Sequence, residues 1–323
     1  MNPNPNQNPS AATTHVVVGA GPVGRAVAAA LVDRGIEPAV VTRSGAAVPG
    51  ARAVAADVRD AAVAATAFAG AEVVFQCAQP PYHRWPQEFP GLQASVLEAA
   101  VSAGALLVVA ENLYGYGPHA GPLTEDLPLA ATTRKGRVRA RMWQELADAH
   151  RAGRARVVAG RASDFFGPGV QGSAVGERFF GPLVRGRRAD VAGDPDRLHT
   201  YTYVPDFGEA LVRLSEAPAA WGRAWHVPNA PTVTTRALAE QAAAIAGTEA
   251  RLRVAARWQL RLLGLVAPPV RETVEMLYEF EEDFVVDHSA YGEVCGDHAT
   301  PLDESLAATV AATHRDAPAP TTA

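Results

Sequence analysis

Three glycines near the start of the chain, Gly19, Gly21 and Gly24, are spaced as G-x-G-x-x-G, with Pro22 and Val23 between the last two. That spacing can bind phosphate. The first glycine permits a tight turn, the second lets the backbone approach a pyrophosphate, and the third lets a helix pack closely on a strand. A second candidate is a lone lysine. Of the 29 basic residues Lys135 is the only lysine; the rest are arginine. Arg139 lies four residues on, so in a helix the two share a face. An ammonium beside another cation in an apolar cleft has a lowered pKa and comes within reach of acid–base work. The plainer alternative is that Lys135 sits on the surface of an arginine-rich, solvated helix start. Tyr114 and Tyr116 are further acid candidates, and Asn112 could orient a substrate hydroxyl or simply cap its loop.

The elements that must position these residues read as strands alternating with helices. Val16 to Val18 form a β-branched run before the glycines, and Ala26 to Val32 read as an apolar helix after them. Strands follow at Pro38 to Thr42, Ala51 to Ala56, Glu72 to Cys77, Ala105 to Ala110 and Arg156 to Ala159. Helices are expected at Val58 to Ala69, Gln87 to Gly104 and Thr132 to Arg151. This alternation predicts an α/β fold, a doubly wound parallel sheet of the Rossmann type, with a smaller C-terminal substrate lobe. Residues 15–169 form the dinucleotide-binding domain. Residues 170–315 form mainly the substrate lobe, with some return to the core. In that part Pro205 to Ala217, Thr235 to Ala246 and Leu252 to Gly264 read as helices. Residues 1–14 and 316–323 read as disordered tails.

Ligands of open α/β sheets bind beyond the carboxyl ends of the strands. Thr42, Arg43 and Ser44 end the second strand, about 20 residues after the glycine motif, where NAD enzymes carry an acidic residue for the ribose. A cation and two hydroxyls there suit a 2′-phosphate, so the expected cofactor is NADP, with NAD less favoured; otherwise Arg43 is an ordinary surface residue. Cys77, Ala78 and Gln79 leave the fourth strand on the nicotinamide side. Cys77 reads as a small buried residue rather than a nucleophile. Tyr82, His83 and Trp85 would border the same cleft, as would His199 and Tyr201 from the lobe, so these five are the substrate-side candidates. No paired-His or Cys-x-x-Cys pattern points to a metal.

With a net charge of -5, 48% hydrophobic and 20% charged residues, the chain reads as a globular protein that does not bind nucleic acid. No apolar run is long enough to span a membrane. Two cysteines without ligand spacing suit a reducing, cytoplasmic setting.

The order of motifs resembles the extended short-chain dehydrogenase/reductase superfamily, in its NAD-dependent epimerase/dehydratase group. GAGPVG looks like the cofactor loop and Asp57-Val58 like the adenine-contacting pair. LYGYG resembles V-Y-G after the fifth strand, and GRASDFFGPG resembles R-x-x-N-x-Y-G-P-G after the sixth. YTYVPDFGEAL and VVDHSAYGEVCGDHATPLDESLAATV are similar to the two closing segments of the family. The catalytic residues depart from the pattern. Counting four back from Tyr114 gives Ala110 where the family has Ser or Thr. The Tyr-x-x-x-Lys of the next helix falls on Lys135 and Arg139. No tyrosine occurs between Tyr116 and Tyr201. The resemblance implies cofactor contact for Lys135 and the nicotinamide ribose and phosphate side for Arg139, which cannot donate a proton at neutral pH. It also implies a homodimer built on the two long helices.

The expected function is therefore an NADP-dependent oxidoreductase acting on a small-molecule carbonyl, imine or activated alkene, with Lys135 or one of Tyr114 and Tyr116 supplying the proton. The alternatives are a non-catalytic NADP(H)-binding sensor and a sugar-nucleotide epimerase or dehydratase.

Overall fold

The computed structural model describes residues 14–255, 258–260 and 274–316. Short β-branched runs form β1 (His15–Val18), β2 (Ala39–Thr42), β3 (Arg52–Ala55), β4 (Val73–Gln76), β5 (Leu106–Asn112) and β6 (Arg156–Ala162). They pair in parallel in the order 3-2-1-4-5-6. The middle strands are buried on both faces, as their continuous apolar runs require. The crossovers are α1 (Pro22–Asp33), α2 (Ala61–Ala67), α3 (Trp85–Ala103) and α4 (Arg134–Arg151). Against one face of the sheet lie Phe68, Val96, Leu97, Met142 and Leu146 of α2, α3 and α4 and their ends.

After β6 the chain forms β7 (Asp164–Phe166), α5 (Glu177–Val184), β8 (Arg188–Ala192), β9 (Leu198–His199), β10 (Tyr201–Tyr203) and α6 (Val204–Glu216). Then come β11 (Ala224–His226), β12 (Val233–Thr234), α7 (Thr235–Ile245), β13 (Arg251–Ala255), α8 (Ser289–Cys295) and α9 (Leu302–Asp316). β11 joins β6 as a seventh parallel strand. α6 packs beside α1 on the second face through Phe207, Leu211, Val27 and Leu31. A separate apolar cluster gathers Phe179, Phe180 and Leu183 of α5, Leu238 and Ala242 of α7, and Leu306 and Val310 of α9. Each of these phenylalanine, leucine and valine side chains, fully buried, contributes roughly 1.5–3 kcal/mol.

Of the helix expected over Leu252 to Gly264, residues 252–255 belong to the strand β13, parallel to β8, residues 258–260 are helical, and the rest lies outside the described residues. β13 is tied to β8 by Arg253, which forms a bidentate ion pair with Asp190 at 2.6 and 2.7 Å. The Gly- and Arg-rich stretch from Gly176 to Gly193 holds α5 and β8. The expected tails lie almost wholly outside the described residues.

Candidate active site

The glycine loop joins β1 to α1. Gly19 has φ +99°, and a Cβ there would lie 2.9 Å from the Cα of Ala78. A Cβ on Gly24 would come within 2.0 Å of the Gly19 carbonyl oxygen. The loop is thus clamped between its own helix and the end of β4. At Gly21 a Cβ would meet nothing within 4 Å, so that side is open. Gly21 caps α1 without a side-chain hydrogen bond, leaving the first N–H groups of the helix for an anion. These residues fit a dinucleotide pyrophosphate.

Around the loop, Arg43 and Ser44 are exposed at the end of β2. The Thr42 hydroxyl accepts from the Ala46 N–H at 2.8 Å and so shapes the turn rather than facing a ligand. Asp57 is held by Arg59, whose hydrogen bonds pull the carboxyl down to about 2. Val58 is buried. Burial pushes the Cys77 thiol up to about 12, which rules out a resting thiolate. Gln79 and His83 are exposed.

Beyond β4 and β5 the chain brings together a compact group. The Thr133 hydroxyl caps α4 by accepting from the Gly136 N–H at 3.1 Å. On the first turn of α4, Lys135 is fully buried. Its Nζ lies 2.8 Å from Glu275 Oε1 and 4.3 Å from the centroid of the Tyr82 ring. The Tyr82 and Tyr114 hydroxyls are 3.4 Å apart. Trp85 packs edge-on against Tyr82 at 4.9 Å and donates its indole N–H to the Pro80 carbonyl. Burial holds both phenols well above their usual range, so they stay protonated.

One turn further along α4, Arg139 donates to the Ala110 carbonyl at 3.2 Å, so the positions matched by counting do meet. Its guanidinium lies 2.8 Å from Glu111 Oε1, and both side chains are buried. Arg139 Nε and Glu111 Oε1 complete no well-formed hydrogen bond, so the contact is ionic rather than directional. Phe89 stacks under the guanidinium at 4.5 Å. The expected pair of neighbouring cations is therefore corrected: each has its own carboxylate, Glu275 for Lys135 and Glu111 for Arg139.

Three other candidates stand apart. Tyr116 is buried in a separate chain of hydrogen bonds. His226 Nδ1 faces the Asp287 carbonyl at 2.8 Å, so it carries the hydrogen. Burial lowers the His226 pKa to about 4, leaving a neutral ring whose Nε2 accepts from the Tyr116 hydroxyl at 2.8 Å. Arg161 donates to the same phenol oxygen at 2.6 Å. Tyr116 thus holds β5, β6 and β11 together and does not reach the Lys135 group. Tyr201 is bound to Thr235 at 2.7 Å in the apolar cluster of α5, α7 and α9, with its ring 4.7 Å from that of His199. Asn112 caps its loop by accepting from the Tyr114 N–H at 3.3 Å.

His199 is better placed. It is stacked on Phe280 at 4.5 Å, its Nδ1 meets the Glu279 backbone carbonyl at 3.0 Å, and its Nε2 meets Asp164 Oδ2 at 3.1 Å. A carbonyl only accepts, so Nδ1 carries a hydrogen. Sequence reasoning missed Asp164, Glu275 and Glu279. Asp164 was visible, since it replaces Asn in the GRASDFFGPG motif. The two glutamates carried no spacing that tied them to α4.

A doubly wound sheet with a glycine loop at its first crossover defines a dinucleotide-binding protein. The chain belongs to the NAD dependent epimerase/dehydratase family, whose model matches residues 15–227. No curated protein matches it. Among solved structures it is similar to UDP-glucuronic acid 4-epimerase from Bacillus cereus in complex with NAD, at 15% identity and TM-score 0.74, covering 93% of this chain and 98% of that one. It is also similar to UDP-glucose 4-epimerase from Thermotoga maritima with UDP-glucose, at 18% identity and TM-score 0.76, covering 93% and 99%. A third is a double mutant of DesIV, a dTDP-glucose 4,6-dehydratase from Streptomyces venezuelae with NAD bound, at 19% identity and TM-score 0.76, covering 94% and 97%. These likenesses establish the fold. Among the described residues no helix is long and apolar enough to cross a membrane.

Proposed function

We propose that the chain is an NADP-dependent oxidoreductase acting on a small-molecule carbonyl, imine or activated alkene. The observation that carries this reading is the grouping of Lys135, Tyr82 and Tyr114 past the ends of β4 and β5. The same end of β4 carries Ala78, against which the glycine loop packs. Gly19, Gly21 and Gly24 would hold the pyrophosphate, Arg43 and Ser44 the 2′-phosphate, and Asp57 and Val58 the adenine side. The bound nicotinamide supplies or accepts the hydride. The protein's part is to hold the substrate's polar atom with the Lys135 ammonium and the two phenols, and to pass a proton from Tyr114 or Lys135.

Family membership keeps sugar-nucleotide epimerisation or dehydration as a second reading. Residues 15–169 serve as the cofactor domain in either case, and residues 170–315 mainly as the substrate side. We assign the protein to the cytoplasm as a homodimer through α3 and α4.

The test is NADPH binding by fluorescence, then NADPH oxidation against a panel of carbonyls and imines, for wild type and Lys135→Ala. Binding with turnover that Lys135→Ala lowers by about tenfold or more is the expected result. Unchanged turnover in the variant removes Lys135 from the reaction. Tight NADPH binding with no turnover identifies a sensor, and conversion of UDP-glucose without net NADPH loss identifies an epimerase.

A further inference from the structure

Arg43 is not alone at the carboxyl ends of β2 and β3. Thr42 and Ala55 are paired there, and the Ala56 N–H donates to the Thr42 carbonyl at 2.9 Å. Arg43 and Asp57 each come one residue after that hydrogen bond, so the two leave the sheet side by side. Gly45, at φ +66°, keeps the turn close to the same strand end: a Cβ there would lie 3.2 Å from that of Ala55. Two residues beyond Asp57, Arg59 folds back onto the Asp57 carboxyl. Its backbone N–H donates to Oδ1 at 3.2 Å, its Nε to Oδ1 at 2.9 Å and to Oδ2 at 3.1 Å, and its Nη2 to Oδ2.

That grip uses the edge of the guanidinium formed by Nε and Nη2. The other edge, Nη1 with the second N–H of Nη2, makes no hydrogen bond or ion pair among the described residues, and half of the side chain is exposed. Asp57 is neutralised by the same contact: Arg59, and Arg43 at longer range, hold its carboxyl down at about 2. Asp60, three residues on, caps α2 by accepting from the Ala62 and Val63 N–H groups at 2.9 and 3.1 Å.

We infer that Arg59 is a second arm for the 2′-phosphate of NADP, beside Arg43, and that the Asp57 carboxylate is the positioning group that holds it there. A guanidinium carries its N–H donors in a rigid planar fork, so a carboxylate on one edge leaves the other edge for a bidentate phosphate. A lone carboxylate at this place would repel a phosphate. Engaged by Arg59, it fixes the cation in advance and spares the freedom that Arg59 would otherwise lose on binding. An ion pair this exposed contributes little to stability, so Arg59 can be replaced without unfolding the chain. The inference rests on the proposed use of NADP and adds a residue to that same site.

The test is the ratio of NADPH to NADH affinity, read by fluorescence titration of the full chain in wild type, Arg59→Ala, Arg59→Lys and Asp57→Ala. The two cofactors differ only in the 2′-phosphate, so a general disturbance of the loop weakens both and leaves the ratio unchanged. Wild type is expected to prefer NADPH. Arg59→Ala should lower the ratio about tenfold, as loss of one charged phosphate contact implies. Arg59→Lys should recover only part of it, because it returns the charge without the fork. Asp57→Ala should also lower the ratio, although removing a negative charge would by itself raise it. An unchanged ratio in Arg59→Ala overturns the inference and leaves the cofactor assignment standing. A raised ratio in Asp57→Ala, or full recovery in Arg59→Lys, overturns the positioning of the fork by Asp57. A wild type that binds NADH as tightly as NADPH overturns the NADP reading and this inference together.

Discussion

Replacing Glu111 by glutamine should destabilise the protein more than replacing Arg139. Arg139 and Glu111 are 3% and 2% exposed and 2.8 Å apart. Glu111→Gln leaves the Arg139 guanidinium buried without a countercharge, and a guanidinium cannot shed its proton, so the loss should be roughly 3–5 kcal/mol. Arg139→Met leaves a buried carboxyl that can take up a proton instead, so its loss should be smaller, roughly 1–3 kcal/mol. The double variant should recover most of the loss of Glu111→Gln, because neither member of the buried pair is then left charged alone. Urea unfolding of the three variants, at constant m-value, gives the comparison. If Arg139→Met costs as much as Glu111→Gln, the uncompensated guanidinium is refuted as the cause.

Gly24→Ala should abolish NADPH binding, because its methyl carbon would lie 2.0 Å from the Gly19 carbonyl oxygen; fluorescence titration reads this directly. Arg43→Ala should lower the ratio of NADPH to NADH affinity by about tenfold, as loss of one charged phosphate contact implies, and an unchanged ratio would remove Arg43 from the site. His226 has its pKa depressed in the fold to about 4, so its stability contribution is present above the unfolded value and is lost as pH falls toward about 4. Between about pH 7 and pH 5 that is about 2 kcal/mol, and the urea midpoint of His226→Gln should lack that part of the pH dependence. Cys77, with its thiol near 12, should resist alkylation at neutral pH, and Cys77→Ala should still bind NADPH.

What the sequence made legible was mostly local. Val16 to Val18, Gly19, Gly21 and Gly24 encode their own strand, turn and helix, and the structure follows them within a residue or two. The juxtaposition of Ala110 and Arg139 was also reachable, because α4 returns directly to the carboxyl end of β5. Charge partners were not reachable. Glu275 lies 140 positions from Lys135, and nothing between them sets a period. For the same reason Tyr116 read as a free acid, although His226 and Arg161 had already engaged it from other strands. The strand at Arg251 to Ala255 was hidden for the same reason: it forms by pairing with β8 and by the Arg253–Asp190 ion pair, whose partners are distant in the chain.

A crystal structure of the full chain with NADPH would test the central claim most directly. The pyrophosphate is expected on the backbone of Gly19 to Gly24, the 2′-phosphate at Arg43, and the nicotinamide ring within contact of Lys135, Tyr82 and Tyr114. A cofactor that leaves Arg43 untouched would contradict the choice of NADP. A nicotinamide ring remote from Lys135 and the two phenols would contradict the proposed reaction site.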